Sequence, residues 1–181
     1  MSTPDIITFH PRLDALLEEW HDALDRDFTA YHNHCYRVLN YFAALSNADD
    51  ETTLDKAAIA LAFHDIGIWS HGTLDYLEPS ALLAEAWLLD HGLEDWIPDI
   101  TAMIGDHHKV TACTDNPLAE AFRQADWADV TQGLRRFSLP LGFAVRVMRT
   151  FPNAGFHKFL MRQSVRQALK HPLNPLPMFR W

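Results

Sequence analysis

Residues 57–69 read AAIALAFHDIGIW, and this stretch decides the fold. Every position from Ala57 to Phe63 is apolar, so a helix here has no solvent face and belongs at the centre of a protein. The run then meets His64 and Asp65, two strong metal ligands, and Gly67 two residues later suggests a helix end. An acid placed directly after Leu-Ala-Phe-His is costly to bury unless a cation or several donors meet it. The segment therefore predicts a buried helix that delivers a His-Asp pair into the interior.

Outward from this run the apolar spacing stays helical. Leu13, Leu16, Leu17 and Trp20 form one stripe, and Tyr31, His34, Val38, Tyr41, Phe42 and Leu45 form another. Asn47 and Asp49-Asp50 break the pattern, and Thr53 is placed to cap the central helix. Residues 70–80 (SHGTLDYLEPS) read as loop, followed by helices over Ala81–Leu89, Ile97–Asp106, Leu118–Thr131, Leu141–Arg149 and Phe156–Leu169. Prolines at 98, 117, 140 and 152 fall near their boundaries. No strand-like alternation occurs, so the expected class is all-α. The tail HPLNPLPMFRW carries three prolines in its last ten residues and is expected to run extended, anchored by Phe179 and Trp181.

With 181 residues and no break in composition, one domain over 1–181 is expected, with a core of about 31–131 and C-terminal helices and a Pro-rich tail over 132–181. Hydrophobic residues at 48%, six Trp and eleven Phe imply a filled interior, and 22% charge excludes a disordered chain. The net charge of −9 opposes nonspecific attraction to a nucleic-acid polymer or an anionic membrane. Cys35 and Cys113 lie far apart without a CxxC pair, which fits a reducing compartment. The N-terminus has no export signal, and no apolar run reaches membrane-spanning length. A cytoplasmic protein is expected, and helical faces left over after one core closes could pair two subunits.

His34, His64, Asp65 and Asp126 could close one cation site from three helices. Imidazole nitrogen with carboxylate oxygen suits first-row divalent ions better than calcium. Asp126 and Asp129 share a helix face, so spacing does not choose between them, although the flanking Ala-Asp-Trp pattern favours Asp126. His107-His108 adds further candidate ligands. His10, His21, His91, His157 and His171 have no such context and read as surface or capping residues.

The order HxxRV at 34–38, AxAFHDIG around His64-Asp65 and ADW at 125–127 resembles the HD-domain superfamily of metal-dependent phosphohydrolases over roughly residues 31–131. That resemblance implies a helical domain with His34, His64, Asp65 and Asp126 holding a first divalent ion. Some members bind a second ion through two further histidines, which by resemblance correspond here to Glu78 and His107. Glu78 is a carboxylate in a histidine position and could still bind or bridge. Ile68 stands where subfamilies acting on nucleotide monophosphates or cyclic dinucleotides often carry Glu or Lys, so their substrates do not transfer.

Hydrolysis of a small phosphorylated compound by activated water is the expected reaction, with Mn, Mg, Zn, Fe, Co or Ni as candidate ions. The expected catalytic residues are Asp65, Lys109 as a cation for phosphate oxygens, and His71 as a proton shuttle. Arg37 and Arg123, close to proposed ligands in sequence, are expected to bind substrate. Asp106 and Asp129 could orient imidazoles from behind. Two other readings are a di-iron oxygenase, which the resemblance also allows, and a binding module that uses the metal as structure.

Overall fold

The molecule, a computed structural model, is described over residues 5–179. Its helices are α1 (Pro11–Glu19), α2 (His21–Leu24), α3 (Phe28–Ser46), α4 (Glu51–Phe63), α5 (Gly67–Ser70), α6 (Leu77–Asp90), α7 (Ile97–Asp106), α8 (Pro117–Val130), α9 (Leu141–Thr150) and α10 (Phe156–Lys170). No strand occurs among the described residues, and the fold is all-α. None of these helices is long and apolar enough to cross a membrane.

α4 is buried on every side from Ala57 to Phe63, as an uninterrupted apolar run requires. It is surrounded by α1, α3, α6 and α7, while α8 packs against α3 and α7. One continuous set of buried side chains runs from Leu13 of α1 to Phe156 of α10. The cap of α4 is Asp50, whose carboxylate accepts from the Thr53 amide at 2.8 Å. Thr53, the expected cap, instead supplies the N–H that is capped, and the helix begins two residues before it.

α6 begins at Leu77, four residues ahead of the expected Ala81. Pro79 did not delay it, because an N–H in the first turn has no helical partner to lose. The early start buries Tyr76, Leu77 and Ser80 and turns Glu78 outward. Ser80 Oγ accepts from the Gly67 amide at 3.0 Å, and a Cβ on Gly67 would lie 2.9 Å from the Tyr76 carbonyl oxygen. Gly67 is thus required for close approach between α5 and α6. It opens α5 rather than ending α4, whose last residue is Phe63.

Beyond α10 no further helix occurs among the described residues. Met178 is buried, and the Phe179 ring lies 5.4 Å from His108 and 5.8 Å from Trp127. Trp181, the other expected anchor, lies outside the described residues.

Candidate metal centre

Four elements send polar side chains to one buried point. His34 comes from the middle of α3, His64 is the residue that closes α4, and Asp65 follows it. His107 closes α7, His108 comes next, and Asp126 lies on α8. All but His108 are at most 3% exposed. Three overlapping groups could hold a metal ion: His34, His64 and Asp126; His64, Asp65 and His107; and His107, His108 and Asp126.

The two carboxylates divide their oxygens between two pairs of histidines. Asp65 Oδ2 lies 3.8 Å from His34 Nε2 and 3.4 Å from His64 Nε2, while its Oδ1 lies 3.5 Å from His107 Nε2. Asp126 repeats the pattern, with Oδ1 at 3.5 Å from His34 Nε2 and 4.0 Å from His64 Nε2, and Oδ2 at 3.8 Å from His108 Nδ1. Each acid is therefore positioned to bridge between a His34/His64 side and a His107/His108 side.

Ring tautomers follow from the partners behind each imidazole. His34 Nδ1 is 2.7 Å from Asp129 Oδ2, His64 Nδ1 is 2.8 Å from the Leu61 carbonyl, and His107 Nδ1 is 2.7 Å from the Ile104 carbonyl. These oxygens only accept, so each neutral ring carries its proton on Nδ1 and turns the Nε2 lone pair inward. His34 Nε2 and His64 Nε2 stand 3.0 Å apart. Two facing lone pairs repel, and carboxylates on either side add more acceptors. Asp65 Oδ1, His107 Nε2 and both oxygens of Asp126 are buried without a hydrogen-bond partner. A pocket of acceptors with no donors fits a cation, and its nitrogen and oxygen set fits a first-row divalent one.

Electrostatics agree with that fit. Burial pushes His64 down to about 3, so it is neutral at pH 7. Burial likewise lowers His108 well below the usual histidine range, and the charge of His107 adds to this. Burial opposes the charge on Asp65, yet His64, His107 and His34 hold it well below the usual carboxylate range. Asp126 goes the other way, pushed by burial up to about 7 against the pull of His107 and His34. For His107, burial alone would lower the pKa, but the Asp65 carboxylate 3.5 Å away and the field of Asp126 raise it. Both upward shifts mark a site that favours added positive charge, which a bound cation would supply.

Asp129 supports the cluster from behind. Its carboxylate accepts a hydrogen bond from His34 Nδ1 and a two-pronged ion pair from Arg37, through Nε to Oδ1 at 2.5 Å and Nη2 to Oδ2 at 2.8 Å. Burial notwithstanding, these donors hold Asp129 down to about 2. Arg37 Nη1 also donates to the carbonyls of Phe151 and Pro152. Phe156 stacks on the His34 ring at 4.1 Å, and His157 Nε2 lies 3.1 Å from the Asp129 carbonyl and 3.2 Å from that of Val130, at the end of α8. The stretch FPNAGFH, with no chemistry legible in its sequence, thus braces the cluster. Two aromatics flanking a turn were the only signal, and core packing has the same one.

Several expected site residues fall elsewhere. Glu78 is exposed and lines a separate cavity of about 360 Å³ together with His71, Asp75 and Leu82. It falls outside the three groups, whereas His108 belongs to one of them. His71, held by Ser70 Oγ at 2.9 Å, shares that separate cavity and not the cluster. Arg37 is spent on Asp129, and Arg123 is paired with Glu120 through two bonds of 2.7 and 2.8 Å and donates to the Lys109 carbonyl. Both guanidiniums, expected to bind substrate, are buried and paired with these carboxylates. The Lys109 side chain does not line the cavity that reaches the cluster. Asp106 accepts from Cys113 Sγ and contacts no imidazole of the cluster.

That cavity has a volume of about 470 Å³ and opens onto Asp65 and His108. Leu74, Tyr76, Leu160, Met178 and Phe179 form much of its wall, and Gln132, His157 and Ser164 supply polar atoms. No Lys or Arg among the described residues lines it. Tyr76 Oη sits 2.7 Å from His108 Nε2, which leaves His108 Nδ1 facing Asp126. Neither Tyr76 nor His157 stood out in the sequence, where Tyr76 falls in the stretch read as loop and His157 reads as a surface or capping residue. No family model, curated protein or solved structure matches the chain.

Proposed function

We propose that this chain is an HD-type, metal-dependent phosphohydrolase that holds two divalent cations and acts on a small phosphoester. The observation that carries this reading is the division of the Asp65 and Asp126 oxygens between His34/His64 and His107/His108. Bound cations would supply Lewis acidity toward phosphoryl oxygens and a hydroxide nucleophile near neutral pH.

The chain's own residues do the rest. Asp129 fixes the His34 ring, the Leu61 and Ile104 carbonyls fix His64 and His107, and Tyr76 fixes His108. Tyr76 Oη and His157 line the cavity within which a leaving group would be protonated. With no Lys or Arg among the described residues in the wall, the cations are what neutralise the phosphate on this reading. The remaining wall favours a substrate whose body is largely apolar, such as an aryl or alkyl phosphomonoester, over a polyphosphate.

The test is elemental analysis of chelator-free protein, followed by turnover of aryl phosphomonoesters with each of Mn, Mg, Zn, Fe, Co and Ni. About two ions per chain and metal-dependent phosphate release are expected, and Asp65→Ala should abolish both while leaving the circular dichroism spectrum unchanged. Full activity in that variant sinks the assignment. Oxygen uptake by the iron-loaded protein without phosphate release would replace hydrolysis by substrate oxidation.

A further inference from the structure

The chain's charge is segregated along its length. All 24 acidic residues lie between Asp5 and Asp129, together with only six of the 15 Lys and Arg. The other nine cations run from Arg135 to Arg180 with no acid among them. The total of −9 is therefore the difference between a strongly acidic body and a wholly basic end, and it conceals the second.

α10 concentrates this basic end on one face. Lys158, Arg162, Arg166 and Lys170 recur every four residues and are exposed, and none makes an ion pair among the described residues. Beside them lie Met161, Val165 and Leu169, exposed by 67%, 53% and 80%, and Leu173 beyond the helix end is 100% exposed. Phe156 and Phe159 anchor the first turns of the helix to the body, with Phe159 stacked on Trp69 at 4.8 Å, and Arg166 and Lys170 flank a groove beside Ile68 and Leu74. The exposed side thus sets a stripe of aliphatic side chains next to a stripe of cations.

We propose that this face of α10 docks the protein onto an anionic lipid surface. Cations alone would suit a nucleic-acid backbone equally, but aliphatics in register with them gain nothing from phosphates in water. At a bilayer interface the aliphatics enter the acyl boundary, while the long cationic side chains reach the headgroups. Self-pairing of the face would set its four cations against four more, so a symmetric dimer through α10 is disfavoured. The acidic body, repelled by the same lipids, orients the molecule with α10 toward the membrane.

The experiment is co-sedimentation of the full chain with phosphatidylcholine vesicles and with vesicles of three parts phosphatidylcholine to one part phosphatidylglycerol. Low and physiological salt are compared. Binding to the phosphatidylglycerol vesicles alone is expected, weakening with salt. It should fall at least about tenfold in Arg162→Glu/Arg166→Glu and fall also in Met161→Ser/Val165→Ser/Leu169→Ser, with melting curves confirming that both variants fold. If either variant fails to fold, Lys158→Gln/Lys170→Gln takes its place. Equal binding to both vesicle types, or binding indifferent to the substitutions, overturns the proposal. Two other results overturn it in favour of a different partner: concentration-dependent self-association that the same substitutions abolish, or tighter binding to a DNA or RNA oligonucleotide than to the vesicles.

Discussion

At the scale of single residues, the contrast between His108 and Glu78 separates what spacing can and cannot reveal. A carboxylate near the start of a helix and two adjacent histidines at the end of another are both plausible ligands on paper. The outcome was set by one turn of α6, since its early start rotates Glu78 by roughly 100° from the buried Leu77 and out to solvent. His108→Ala should therefore lower bound metal by about one ion per chain, whereas Glu78→Ala should leave it unchanged; inductively coupled plasma analysis decides between them. The proton held by Asp126 adds a pH dependence. Its pKa stands at about 7, raised by burial, so a cation must displace a proton wherever pH lies below that value. Metal affinity should accordingly weaken as pH falls below 7, by at least about tenfold per unit, since His107, raised by its carboxylate neighbours, must also give up its proton; titration with a chromophoric chelator at pH 5.5, 6.5 and 8 measures the slope.

Helices were legible from sequence wherever packing and punctuation agree. α7 runs over the expected residues 97–106, and α8, α9 and α10 begin or end within one residue of expectation. The loop assignment for residues 77–80 failed because Pro and Glu near a helix start resemble a turn, and only the docking of Ser80 on Gly67 distinguishes them. That contact gives a sharp test. Gly67→Ala places a methyl 2.9 Å from a backbone oxygen that cannot swing aside, so it should cost ~1–3 kcal/mol by urea unfolding. The variant should also perturb metal retention, because Asp65 lies two residues upstream. Ala at the exposed Gly142, where nothing stands within 4 Å, is the matching control and should be neutral or slightly stabilising.

For the molecule as a whole, the sequence revealed a central helix, an all-α fold and the buried acid after it, since each follows from apolar period and the cost of burying charge. It did not reveal which groups were free to meet a substrate. Arg37 and Arg123 look like phosphate ligands until Asp129 and Glu120 are seen to occupy them. Total charge likewise hid a basic helix within an acidic protein. The cluster also bears on stability. Four buried acceptor atoms have no partner without a cation, so chelation should lower the melting temperature at pH 8 by several degrees, and excess zinc or manganese should restore it.

About half of the side chains lining the cavity come from a different part of the chain from the cluster it reaches. Asp65 and His108 belong to the first two thirds of the chain, whereas Leu160, Met161, Ser164, Leu176, Met178 and Phe179 all come from α10 and the segment after it. The ligand cluster and most of the outer wall are thus carried on separate stretches of one polypeptide. On the proposed reading, substitutions beyond residue 159 should alter which molecule fits the cavity while leaving the metal cluster intact.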